Sequence, residues 1–264
     1  MSLKDRFARP GPGVEKDAPR KKGLARFIEI LSRDIRSLLL VGLVTTLGFV
    51  PLILGALLTL DASSMLLALP AGLIGGAIAG PFLCALYDAI LRMLRDEPAF
   101  WWHTYKKALA QDWKASLLPG ALMGLMTVSL LFLALSNAIT VQPILIAGLI
   151  SLLIGSLILP LWFAQIALMD LPAGAILKNA LLMAFGCAPR TLPAAAVQIV
   201  YWVFLIANLP WTLLWLPLFG LWVIALVTLQ ILYPALDKSF GIEEKIRAKR
   251  EAELQQFTQD RLSD

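Results

Sequence analysis

An all-α, polytopic membrane protein with six transmembrane helices is the fold class this sequence predicts, and three observations carry the prediction. Hydrophobic residues fill 59% of the 264 positions and charged residues only 16%, a balance outside that of soluble domains. The apolar residues gather into runs of about 20 or more, the length a helix needs to cross a bilayer. Lys and Arg are confined to every second connection between those runs.

The elements follow in chain order. Residues 1–22, with the stretch ARPGPG, read as a disordered basic tail. From 23 to 36, Leu24, Phe27, Ile28, Leu31 and Ile35 share one helical face, the spacing of an amphipathic interfacial helix. Spans are expected near 37–60, 64–91, 116–135, 140–169, 191–207 and 210–233, together forming a membrane domain over 23–236. Two further interfacial helices are expected near 98–114 and 172–188, the first opening at Pro98 with Asp96 and Glu97 close to its positive end. Residues 237–264 read as a charged helical tail. The first apolar run starts after 36 largely polar residues, and no cleaved leader is expected.

Charge decides the threading. Ten Lys and Arg precede the first span, five lie between spans two and three, two between four and five, and six follow the last, which accounts for all 23. Positive residues near spans stay on the cytoplasmic side, so both termini and the larger loops are expected in the cytoplasm of a cell membrane. The net charge of +5 then reflects topology and attraction to anionic headgroups, with no role in nucleic-acid binding.

Shifting the chain by 74 residues pairs Asp96 with Asp170, Pro98 with Pro172, Ala110 with Ala184 and Pro119 with Pro193. A parallel internal repeat, as in some transporters, and a chance match of common residues both fit these identities.

Gly72, Gly76 and Gly80 recur every fourth residue, and Gly120 and Gly124 repeat the spacing. Such stripes let helices approach closely in lipid. Trp101, Trp102, Tyr105 and Trp113, with Lys106 and Lys107, are expected to anchor their loop at the headgroups. Pro81 and Pro160 are the expected kinks. Gln165 and Gln198, in adjacent spans, could line a polar midplane site.

Catalysis finds no motif. His103, the one histidine, and the acids Asp88, Asp96, Glu97 and Asp112 match no metal-ligand spacing, nucleophile elbow or phosphate loop. No cofactor is expected. Cys84 and Cys187 lie in apolar surroundings and read as small hydrophobes.

The stretch GPFLCALYDAILRMLRDEPAFWWHTYKKALAQDWKASLLPG resembles the YesL-like family of bacterial integral membrane proteins, which share a domain of unknown function. The resemblance is carried by Pro81, by Ala85, Leu86 and Tyr87, by Trp101 or Trp102, and by Tyr105 with Lys106 and Trp113 with Lys114. It implies a bacterial multi-pass protein associated with carbohydrate utilisation and its transport systems, and it brings no catalytic or binding residues. The expected role is a non-enzymatic accessory or regulatory component of a transport system, touching a transporter or sensor subunit on the cytoplasmic side. The alternatives are an autonomous small-solute carrier or channel and, third, a membrane-embedded enzyme.

Overall fold

A computed structural model describes residues 20–97, 100–135, 142–209 and 211–248. The expectations for residues 1–19, Pro98, the connection at 136–141 and the tail beyond 248 lie outside these. The described residues form helices: α1 Leu24–Asp61, α2 Met65–Leu94, α3 Trp101–Leu135, α4 Gln142–Leu168, α5 Ala173–Gly186, α6 Ala188–Ala207, α7 Trp211–Trp215 and α8 Trp222–Phe240. A π-helical turn at Leu216–Gly220 joins the last two, and residues 242–248 are helical. Six of these segments are long and apolar enough to cross a membrane, which makes this a multi-pass membrane protein.

The boundaries at the two ends of the membrane domain differ from the sequence reading. The amphipathic segment at 23–36 and the first span are a single helix of 38 residues. That helix is about 57 Å long at 1.5 Å per residue, well beyond the roughly 30 Å of a hydrocarbon core. It runs antiparallel to α2 throughout: Gly55 meets Ala71, Gly75 meets Leu52, and Gly48 meets Phe82. Arg33 still reaches the Met93 carbonyl at the far end. The 23–36 segment therefore continues the span along the bundle instead of forming a separate surface helix. The last helix reaches Phe240 before Gly241, at φ 60°, ends it in the left-handed region, so the domain boundary placed at 236 falls inside α8.

The core sits at one end. Ile30, Leu38, the run Cys84–Leu91, Tyr105, Leu161–Ala164, Ile176, Leu226, Leu229, Leu232 and Leu236 supply its most buried side chains. These come from the parts of each helix nearest the connections that carry Lys and Arg, here called the basic end. Towards the opposite end, Leu57, Leu58, Leu66, Leu149, Phe204 and Leu214 face outward, the lipid side of a membrane protein.

Candidate functional site at the basic end

The C-terminus of α2 begins the site. A helix end leaves carbonyls without partners and carries partial negative charge. Here guanidiniums from the preceding chain supply the donors: Arg26 donates to the Leu94 carbonyl at 2.9 Å, Arg33 to Met93 at 2.9 Å, and Arg20 to Arg95 at 2.9 Å. The same three arginines converge on one carboxylate. Asp96 accepts from Arg26 at 2.8 Å, from Arg20 at 2.9 Å, and from Arg33. Asp96 stands at φ 56°, a conformation that Asp tolerates better than most residues.

The sequence reading placed Asp96 beside the positive end of the next helix. The structure corrects this: Asp96 lies just past the negative end of α2, as counter-ion to the guanidiniums that cap it. Burial works against the Asp96 charge, but hydrogen bonds from Arg33 and Arg26 outweigh it and hold the carboxyl below the ordinary value. Arg26, only 6% exposed, is the deepest of the three and also donates to Glu29 at 2.9 Å.

The far end of the chain joins the hub. Arg20 and Tyr233 both donate to Glu243, the Glu243 amide donates to Asp237 at 2.8 Å, and Gln230 donates to the Gly23 carbonyl at 2.6 Å. Glu243 is held below its ordinary value by Arg20 and Tyr233 despite the opposing cost of burial. Arg92 pairs with Asp88 at 2.8 Å and with Glu97 at 3.4 Å, and Arg95 lies 3.1 Å from Glu97. Asp88, Asp96 and Glu97 thus have their carboxylates engaged in ion pairs, while His103 is exposed.

Beside the hub, α3 bends. Gly80 lies against Ser116 and Gly120, and a straight helix would carry Tyr105 about 16 Å farther from that contact. A tyrosine side chain reaches roughly 6–7 Å. Yet the Tyr105 hydroxyl donates to the Phe82 carbonyl at 3.2 Å and lies 3.0 Å from that of Thr45. The first four turns of α3 must therefore lie across α1 and α2, with the bend between Tyr105 and Ser116–Gly120. Two local causes are present. Ser116 donates back to the Asp112 and Trp113 carbonyls, and Pro119 has no N–H for the Ala115 carbonyl.

This crosspiece keeps the helix expected near 98–114, now joined to span three. Tyr105 is 1% exposed: it is a buried fastener, not a headgroup anchor. Trp101 is partly buried against the core, while Trp102, Lys106, Lys107 and Trp113 are exposed. The bend falls between Tyr105 and Gly120, and the helical pattern continues through Pro81, Pro119 and Pro160 alike.

The glycine stripes meet each other. A Cβ built on Gly76 would come within 2.6 Å of the Gly124 Cα, one on Gly120 within 2.6 Å of the Gly80 Cα, and one on Gly124 within 2.3 Å of the Gly72 carbonyl. Backbone thus rests on backbone, an approach that only glycine permits here. The 74-residue offset puts Ile146, Ile150 and Ile154 at the Gly72, Gly76 and Gly80 positions, and Gln198 at that of Gly124. In that second block the isoleucines face outward.

The two glutamines do not share a site. Gln198 donates to the Ser156 carbonyl at 3.0 Å, whereas Gln165 is nine residues, about 13.5 Å, farther along α4, one turn from its end. There its amide faces the Met183 sulfur at 3.8 Å. The expected polar midplane site is therefore corrected to two separate contacts between helices.

Comparison with protein-family models, with curated proteins and with solved structures gives no match.

Proposed function

We propose that this chain is a non-enzymatic accessory or regulatory component of a transport system, seated in the cell membrane with its basic end in the cytoplasm. The observation that carries the reading is the convergence of both chain ends on one hub. Arg20 and Glu243, 223 positions apart, are paired directly, and Asp96 binds the same arginine. Such a platform suits a role that docks or senses a neighbouring subunit. The YesL-like resemblance adds carbohydrate transport as the setting.

The geometry favours this over the carrier reading, because the glutamine pair assigned to a transport site occupies two different levels of the bundle. Three of the four candidate acids, Asp88, Asp96 and Glu97, spend their charge on arginines, which speaks against an enzyme built on them.

The test is extraction of the full chain from its native membrane into lipid nanodiscs, with mass spectrometry of whatever stays bound. A transporter or sensor subunit in fixed ratio is the expected result. Isolation of the chain with lipid alone, together with solute flux in liposomes that Gln165→Leu or Gln198→Leu abolishes, would overturn the reading in favour of a carrier.

A further inference from the structure

The geometry points to the crosspiece of α3 as a charge-selective binding surface for anionic phospholipid headgroups. Its outward face carries two lysine–tryptophan pairs. The Lys106 ammonium lies 5.6 Å from the Trp102 ring centre, and that of Lys114 lies 5.5 Å from Trp113, both within cation–π range. Lys107 is exposed between them. None of these lysines is in an ion pair among the described residues.

The acid of this segment is less exposed than its lysines. Asp112 is half-buried, close enough to Asp88 and Asp170 to feel their charge. From 100 to 118, three ammonium groups are exposed against one half-buried carboxylate, a positive excess that sets an anionic headgroup apart from a zwitterionic one.

Depth fixes the occupant. Leu117 and Leu118 follow one turn after Trp113 and Lys114 and are also exposed, at 36% and 53%, where lipid chains cover them. The bend then lays the remaining turns across the bundle, so that Trp102 and Lys106 stay near the same boundary instead of standing out in water. Tryptophan at that boundary gives an apolar face to the acyl region and an N–H to the headgroups, while lysine stems reach phosphate. A membrane leaflet fits this arrangement, and an acidic protein segment would not explain the tryptophan depth.

The experiment uses the full chain in nanodiscs that mix phosphatidylglycerol with phosphatidylcholine, and native mass spectrometry of the lipid retained. Each of Lys106→Gln, Lys107→Gln and Lys114→Gln should lower the preference for phosphatidylglycerol about fivefold, from the typical worth of a lysine near a charged surface. The preference should also shrink as salt rises. Lys178→Gln on α5, exposed but without a tryptophan paired to it among the described residues, should lower it less. Melting in phosphatidylcholine alone reports whether each variant is folded, and if the triple variant is not recovered the single ones carry the test. A preference that survives all three substitutions, or falls equally in Lys178→Gln, overturns the proposal. So does an acidic protein that is released by the same substitutions while lipid preference stays intact.

Discussion

Replacing Asp96 by Ala removes a carboxylate that three guanidiniums share. Arg20 and Arg33 are well exposed and lose little, since solvent screens exposed pairs. Arg26, buried beneath them, keeps Glu29 and the Leu94 carbonyl but loses its shortest contact. Asp96→Ala should therefore cost about 1–2 kcal/mol, a fall in Tm of roughly 2–8 °C. The sign with pH follows from the lowered Asp96 carboxyl. Its contribution is complete above the ordinary carboxylate value of about 3.9 and disappears as pH falls through the lower folded one. Melting of both proteins from pH 7 to pH 3 checks this: the gap should hold to near pH 4 and narrow below it. A gap that widened in acid would show that Asp96 is not the hub's counter-ion. Gly76 and Gly124 provide a second test. Ala at either position drives a Cβ into backbone at 2.3 Å, so α2 and α3 must separate and Tm should fall by several degrees. Gly174→Ala, with nothing within 4 Å of its Cβ, should be neutral or slightly stabilising.

Among the elements, the spans were the most legible, because an apolar run long enough to cross lipid is seldom found outside it. The separate first helix was misread, since an amphipathic face over residues 24–35 looks the same whether it floats on lipid or packs on a neighbouring helix. Ile30, on that segment, is fully buried and decides the matter only in three dimensions. The hub was illegible for a related reason. Its partners come from residues 20, 26, 33, 96 and 243, and no local spacing joins them. The bend in α3 did leave a signal in Ser116 and Pro119, three residues apart, but back-bonding by serine is one use of that residue among several. The bend makes its own prediction. Tyr105→Phe deletes the hydroxyl that ties the crosspiece to Phe82 and leaves the ring packed, which should cost about 1 kcal/mol. Ser116→Ala with Pro119→Ala restores the ladder bond and should release the crosspiece. Spin labels at His103 and Ala62, on opposite ends of the bundle, should then move apart, whereas an unchanged distance would mean that the packing of Tyr105 alone imposes the bend.

Across the whole molecule, packing and charge are polarised along the same axis. Most buried side chains crowd the basic end, and the opposite half has a smaller core of Leu52, Ala56, Ala68 and Val128 beside the glycine contact of α2 with α3. The charge pattern gives that axis a direction. Every Lys and Arg lies before the first span, after the last, or in the second and fourth connections, and the hub uses Arg20, Arg26 and Arg33 to tie three parts of the chain together. Translocating that end would mean moving a folded, ion-paired cluster through hydrocarbon, whereas the opposite turn at Leu60–Ser64 carries only Asp61. The basic end should therefore stay in the cytoplasm. Single cysteines placed at Ala62 and at Lys245, both exposed, in a chain with Cys84 and Cys187 replaced by Ala, distinguish the two orientations. An impermeant thiol reagent added to intact cells should modify the cysteine at 62 and reach the one at 245 only after the membrane is opened. The reverse pattern would place the hub outside the cell, where no cytoplasmic subunit could meet it, and the accessory role would fall with the orientation.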